Sequence, residues 1–292
     1  MADYSIVEHK LSDNSFAYKE LVFDSWEYLK TYLLNWDVSS FSKYVFRGHA
    51  DAKWKLEPTI ERYCTNDGNT RNIIEKNSIA MFQKGISIFA TDKDISFLNV
   101  PEKHRHLDWL ALMQHHGAAT RLLDFSDSPF VASFFAMANL HTENKEKCIW
   151  AIPLQIIDDK NRSNDSLKYI LEKNTLSEIY SDIRLDKSNY DKNILGYSYL
   201  DMQFERLFRQ QGCFIYSLSK QQTFESLLKN YFDDETLALT PILKLSVKAM
   251  SRTDIGIAIK DLKQMNITYS SLFPDIDGFS KDILTMQYIN NI

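Results

Sequence analysis

The chain alternates between stretches with apolar residues at helical spacing and short apolar runs bounded by polar residues. Helical spacing predicts a helix over Ser25 to Trp36, where Asp24 or Ser25 can cap the first turn. The same spacing predicts helices over 69–90, 101–116, 130–140, 251–264 and 277–289. Gly117 suits the end of one of these helices, and Pro129 suits the first turn of the next.

Short runs of β-branched and aromatic residues predict the strands. They lie at Tyr44–Arg47, Leu122–Leu123, Cys148–Leu154, Gly212–Leu218 and Leu237–Val247. Because these strands are few and alternate irregularly with helices, the pattern predicts an α+β fold with a small central β-sheet surrounded by helices.

We expect a single domain over residues 1–292, with its core at about 40–285. Residues 1–39 form an N-terminal extension with one helix, preceded by a polar lead-in or an edge strand. Residues 155–199 are rich in Asn, Asp, Lys and Ser, which predicts a peripheral segment, either a variable helical insertion or a poorly ordered cap.

Composition and charge narrow the class of protein. The chain has 44% hydrophobic and 25% charged residues, as in ordinary globular domains, and its net charge of −5 excludes a whole-chain basic surface for nucleic acid. Cys64, Cys148 and Cys213 are widely spaced, which predicts reduced, buried thiols and a cytoplasmic protein. The N-terminus lacks the features of a secretory signal, and no apolar run approaches the ~18 residues of a membrane span, so we expect no membrane partner.

Arg47 and Gly48 stand at the end of a predicted strand. An arginine can grip a phosphate with two parallel hydrogen bonds, and a glycine lets a ligand approach the backbone closely. This pair therefore predicts a phosphate-binding position. A structural salt bridge from Arg47 to Asp51 or Glu57 is the alternative.

His115 and His116 close a predicted helix, where they could bind a ribose hydroxyl, polarise a leaving group or simply suit the negative end of the helix dipole. Together with His104, His106 and Asp108 they suggest a metal site, but their spacings match no standard zinc pattern. We therefore assign no metal ligands.

Thr120 to Asp124 resembles a short buried strand that carries polar groups. Alternation places Thr120, Leu122 and Asp124 on one face. A buried aspartate needs a partner, and Arg47, Arg121 or a helix N-terminus could supply it. Asp124 and Ser126 could also be structural caps of the helix that follows.

Four separated segments carry a family resemblance, in the order YVFRG (44–48) with LEPTIER (56–62), LMQHHGAATRLLDFS (112–126) with VASFFA (131–136), RxxxQxGxF (206–214) and LFPDIDGF (272–279). They resemble the FRG domain family, which is named for a Phe/Tyr-Arg-Gly motif. The 112–126 block is the most specific, and the four blocks cover most of the chain.

The FRG pattern in turn looks like a divergent ADP-ribosyltransferase fold. The resemblance implies that NAD is the cofactor, with Arg47 and Gly48 at its phosphates. It implies that residues 120–126 occupy the place of the second conserved strand, so that Thr120, Arg121 and Ser126 help to bind NAD. Gln210 takes the place of the usual acidic residue and would orient the ribose 2′-hydroxyl; the neighbouring Glu205 is an alternative acid.

The predicted activity is therefore transfer of ADP-ribose from NAD to a macromolecular acceptor, a protein or a nucleic acid, as in a toxin or a defence effector. Gln210, His116 and Asp124 are the predicted catalytic residues, and His115 is predicted to contact NAD. A glutamine cannot supply the charge of a glutamate, so a non-catalytic module that binds a nucleotide or a nucleic acid is the alternative. A hydrolase would require a GxSxG motif or a Cys–His pair, and neither is found.

Overall fold

The computed structural model describes residues 4–12, 15–36, 43–64, 68–89, 105–163, 193–199, 205–219 and 221–290. Eight strands of these residues form one mixed sheet with helices on both faces, which confirms the predicted α+β class. The strands are β1 (Tyr4–His9), β2 (Tyr18–Phe23), β3 (Tyr44–His49), β4 (Leu122–Ser126), β5 (Lys147–Pro153), β6 (Leu195–Ser198), β7 (Gly212–Ser217) and β8 (Ile242–Val247).

Helices fill the connections between the strands. They are α1 (Trp26–Leu34), α2 (Thr59–Tyr63), α3 (Gly68–Phe89), α4 (Arg105–His115), α5 (Pro129–Met137), α6 (Leu154–Ser163), α7 (Glu205–Arg209), α8 (Phe224–Tyr231), α9 (Asp234–Leu239), α10 (Arg252–Gln264), α11 (Tyr269–Leu272) and α12 (Ile276–Asn290). Two of the predicted helix-end signals, Ser128 before α5 and Gly117 after α4, are present in the structure. Ser128 caps α5 by accepting a hydrogen bond from the Val131 N–H, and Gly117 follows α4 at φ +85°.

The strand order is β1-β2-β8-β5-β3-β4-β7-β6, and the ladders are antiparallel except for β2 with β8. The sheet is nearly divided in its middle. β3 and β4 share one residue pair, Phe46 with Ser126, whereas every other neighbouring pair of strands shares four or more. The two halves of the sheet therefore diverge beyond this pair, toward Arg47 on β3 and Asp124 on β4.

The hydrophobic core lies on both faces of the sheet. One face packs Phe23, Phe46 and Leu245 against α1, α5 and α10. The opposite face packs Val45 and Trp150 against α6 and α8, and a third cluster lies between β4, β7 and the helices α3 and α4. These layers hold the two halves of the sheet although their direct pairing is minimal.

Two sequence predictions need correction. The run Leu237–Val247 is a helix followed by a strand, because Asp233 caps α9 and the strand begins only at Ile242, after Pro241. The segment 155–199 is only partly peripheral, since Ile157 and Leu195 are fully buried at its two ends. Residues 164–192 of that segment lie outside the described residues.

The N-terminal segment also contributes more than the predicted helix. It supplies β1 at the sheet edge and β2, which pairs with β8 along its whole length. Residues 101–104, where a helix was predicted to begin, lie outside the described residues, and α4 is described from Arg105.

Gly48 is required by the packing of α5 on β3. A Cβ atom at this position would lie 1.9 Å from the Ala132 carbonyl oxygen and 2.7 Å from the Ala136 nitrogen, both of them backbone atoms of the helix. The structure thus gives a reason for this glycine besides the predicted approach of a ligand: the backbone of α5 occupies the space that a side chain would need. The close approach keeps the start of α5 beside the divergence of β3 and β4.

The variant Gly48→Ala should lose roughly 2–3 kcal/mol of unfolding free energy, because helix backbone cannot yield to the added methyl group as a flexible side chain can. Urea denaturation measures this value. Gly117→Ala is the control: no atom lies within 4 Å of its added Cβ, so it should lose only about 1 kcal/mol, from the positive φ. A Gly48→Ala protein as stable as wild type would contradict the packing argument.

Candidate functional site

A cleft of about 310 Å³ opens where β3 and β4 diverge. Its walls come from these two strands, from α4, α5 and α7, and from β7. The lining residues are Phe46, Arg47, Gly48, Ala111, Gln114, His115, Asp124, Phe125, Ser126, Phe135, Arg206, Leu207, Gln210 and Phe214. The cleft thus combines two arginines and one carboxylate with a largely aromatic apolar wall.

Arg47 bridges the divergence between the two strands. Its Nη1 donates a 2.7 Å hydrogen bond to the backbone carbonyl of Asp124, a residue that has no ladder partner on β3. Its Nε donates a 3.2 Å hydrogen bond to Nε2 of His49. Burial lowers the pKa of Arg47 below the usual arginine value, although the charge of Asp124 opposes this shift. An arginine nevertheless stays charged at any physiological pH. The site therefore contains a fixed, oriented cation.

Asp124 is exposed, contrary to the buried position expected from strand alternation. Its side chain is 58% exposed, while its neighbours in β4 are buried. Of the three expected partners the structure shows Arg47, whose Nη1 lies 3.9 Å from Oδ2 of Asp124. This distance is at the limit of an ion pair, so the carboxylate can still turn toward a ligand, and it is the single carboxylate among the described lining residues.

Arg206 is a second cation in the cleft, and the predicted site residues omitted it. Its guanidinium lies 4.2 Å from the centre of the Phe273 ring and forms no ion pair with the described residues. Burial lowers the pKa of Arg206, and the charges of Asp124 and Asp275 raise it. The signal was present in the sequence, since Arg206 precedes Gln210 by one helical turn in the RxxxQ pattern.

Gln210 lies just after α7, where both its backbone and its side chain are engaged. Its Nε2 donates to the Leu272 carbonyl at 3.2 Å, and its backbone carbonyl accepts a 2.7 Å hydrogen bond from the Ser126 hydroxyl. The Ser126 oxygen also accepts from the Ser128 N–H at the start of α5. Ser126 therefore joins the end of β4 to the segment that carries Gln210.

The neighbouring residues His115 and His116 differ in whether they line the cleft. His115, at the end of α4, lines the cleft, whereas His116 is exposed and does not. Thr120 is fully buried, does not line the cleft, and donates its hydroxyl hydrogen to Oε1 of Gln114. Gln114 itself lines the cleft, so Thr120 acts on the site through that side chain.

Arg121, predicted to contact NAD, does not line the cleft. Its Nε donates to both carboxylate oxygens of Glu75, at 2.8 and 2.7 Å, and its Nη2 donates to Asn72. The Glu75 side chain is only 4% exposed. Arg121 precedes the first residue of β4 and extends toward α3, so it anchors that helix beside the strand instead of entering the cleft.

The described residues contain no group of three or more metal-binding side chains. His104 of the histidine cluster lies outside them, and the side chain of His106 is not described. None of the described helices combines the length and the apolar character that crossing a membrane requires.

Comparison with known families identifies the segment that carries β3, β4 and α5. Residues 42–145, about a third of the chain, match the FRG domain. Arg47, His49 and Asp124 lie within the match, whereas Arg206 and Gln210 follow it. No curated protein and no solved structure matches the chain.

The variant Arg121→Met should destabilise the fold by about 3–5 kcal/mol, because it leaves the buried Glu75 carboxylate without its partner. Replacing both residues, in Arg121→Met with Glu75→Leu, should recover much of this loss. Chemical denaturation measures both variants. Lys248→Met is the control, since it breaks the exposed pair with Asp24 and should change stability by less than about 1 kcal/mol. An equally small effect of Arg121→Met would contradict the anchoring role.

Proposed function

We propose that the cleft binds NAD and that the protein is an ADP-ribosyltransferase-like enzyme acting on a macromolecular acceptor. The observation that carries this proposal is the presence of Arg47 and Arg206 in one cleft, both within the electrostatic influence of Asp124. Two guanidinium groups with one half-exposed carboxylate leave an excess of positive charge, which a pyrophosphate would neutralise. Residues 42–145 match the FRG domain. The resemblance of the FRG pattern to ADP-ribosyltransferases, which is itself part of the proposal, favours the same ligand.

Apolar side chains of the cleft could contact the rings of the ligand. Phe46, Phe125, Phe135 and Phe214 contribute to the lining, and Phe135 is the one of them that is partly exposed, so its ring could stack on a nicotinamide or an adenine ring. The volume of about 310 Å³ lies at the lower end of the range for small-molecule sites, so it suits part of a dinucleotide rather than an entire one.

The proposed reaction breaks the bond between the nicotinamide nitrogen and C1′ of its ribose. The bonding electron pair leaves with nicotinamide, and positive charge develops on the ribose. Asp124 is the described carboxylate that could stabilise this charge, and His115 could bind a ribose hydroxyl. A nucleophile of the acceptor then bonds to C1′ and loses its proton, or water takes its place and NAD is hydrolysed.

Gln210 favours a second candidate function, a non-catalytic module that binds a nucleotide or a nucleic acid. Its amide is neutral and one of its two Nε2 hydrogens is engaged by the Leu272 carbonyl, so it offers a ribose its oxygen and one N–H but no charge. In this alternative the arginines bind phosphate and no bond is broken. Asp124→Asn distinguishes the two: loss of turnover with binding retained supports an enzyme.

A cytoplasmic role as a toxin or as part of antiviral defence fits an enzyme that consumes NAD or modifies a macromolecule. The three cysteines are free and buried, as expected in a reducing compartment. This cytoplasmic role depends on the proposed function.

The direct test is incubation of the purified chain with NAD, followed by quantification of free nicotinamide and by titration with ADP-ribose. Arg47→Lys should weaken ADP-ribose binding about tenfold and Arg47→Ala more strongly, because lysine retains the charge but loses the second hydrogen bond. Arg206→Ala should weaken it to a similar extent. Lys43→Ala is the control, since Lys43 is exposed, pairs with Asp127 and does not line the cleft.

Each outcome of this test has a distinct meaning. Full NAD binding by Arg47→Ala would show that Arg47 is a structural residue and that the ligand lies elsewhere. Binding without release of nicotinamide would favour the non-catalytic module. No binding of NAD or ADP-ribose by the wild-type protein would refute both forms of the proposal.

A further inference from the structure

His49 contacts the key arginine of the cleft but does not line the cleft itself. It follows Arg47 by two residues in β3, so the two side chains leave the strand on the same face. The residue is 4% exposed, pairs with Cys148 of β5 across the ladder, and has its ring 6.2 Å from that of Trp54. The imidazole is therefore enclosed by packing alone on this side, since its buried Nδ1 has no hydrogen-bond partner among the described residues.

The hydrogen bond between the two side chains has a defined direction. An arginine has five N–H donors and no acceptor, so Nε of Arg47 must donate and Nε2 of His49 must accept. His49 is consequently neutral, with its proton on Nδ1. Burial, and next the charge of Arg47, lower the pKa of His49 to about 3, and Lys244 and Arg62 act in the same direction.

The guanidinium of Arg47 is thus held at two points that lie on different strands. Nε is fixed by His49 on β3, and Nη1 is fixed by the Asp124 carbonyl on β4. Two anchors set the plane of the group as well as its position, and at least three of its five N–H bonds stay available for a ligand. A planar fork binds phosphate well only when this orientation is correct.

We propose that His49 is a positioning residue that sets the guanidinium plane of Arg47 for binding a phosphate of the ligand. This inference rests on the proposed function. A positioning role differs from a structural role, because its effect must pass through the fork of Arg47 and must vanish when the fork is absent.

The first arm of the test requires no ligand. In ¹⁵N-labelled protein, the imidazole resonances of His49 should show the Nδ1–H tautomer and should not titrate between pH 5 and pH 8. Titration near the ordinary histidine pKa of about 6.5, or a proton on Nε2, would overturn the proposal, because His49 could not then accept from Arg47.

The second arm measures ADP-ribose affinity by calorimetry. His49→Leu removes the acceptor and should weaken binding about tenfold, whereas His49→Gln places an amide oxygen near the position of Nε2 and should retain affinity to within about threefold. In an Arg47→Lys background, His49→Leu should cause no further loss, since lysine has no fork to orient. Thermal melts of all variants confirm that they are folded.

An equal loss from His49→Leu in both backgrounds would overturn the proposal and indicate a structural role, as would unchanged affinity in the wild-type background. If His49→Leu does not fold, the comparison of His49→Gln with wild type and the ¹⁵N spectrum decide the question. Absence of ADP-ribose binding by the wild-type protein would refute the proposed function, while the spectrum would still decide whether His49 holds Arg47.

Discussion

The hydrogen bond from Arg47 to the carbonyl of Asp124 spans the place where the sheet nearly divides. β3 and β4 share one residue pair, and beyond it the strands diverge, so the backbone groups that a regular ladder would pair need other partners. Arg47 supplies one of them with a side chain. The same divergence opens the cleft, and the guanidinium that bridges it is one of the two cations that line the cleft.

Three consecutive residues of β3 explain how this arrangement is built. Phe46 makes the last shared pair with β4 and is buried in the core against α5. Arg47 enters the divergence, and Gly48 lets the backbone of α5 pack directly on the strand. The Phe-Arg-Gly sequence therefore combines a pairing residue, a charged bridge and a helix contact, and all three residues line the cleft.

Much of the fold was predictable because its signals are local. The cap at Ser128, the glycine after α4 and the apolar spacing of α10 each depend on neighbours in sequence. The edge strand β6 and the start of α9 were missed, since a four-residue strand within a polar segment and a capped helix within an apolar run have weak local patterns. Whether Asp124 is buried depends on the divergence of β3 and β4, which no local pattern reveals.

The site was predicted in part for the same reason. Arg47, Gly48, His115, Asp124, Ser126 and Gln210 meet at one cleft, as the motifs implied. Arg121 was assigned there because it stands in the most specific motif, but its partner Glu75 comes from α3, far from any motif. The contact of His49 with Arg47 is visible only in the folded chain, whereas Arg206 stands in the RxxxQ pattern and could have been predicted from it.

The most direct measurement is a crystal structure of the wild-type chain with ADP-ribose. The account predicts the pyrophosphate in the cleft, with its oxygens about 2.7–3.2 Å from the guanidinium nitrogens of Arg47 and Arg206. It also predicts that the bonds from Arg47 to His49 and to the Asp124 carbonyl persist in the complex. ADP-ribose bound on another surface, or an Arg47 that leaves both partners to reach it, would contradict the account.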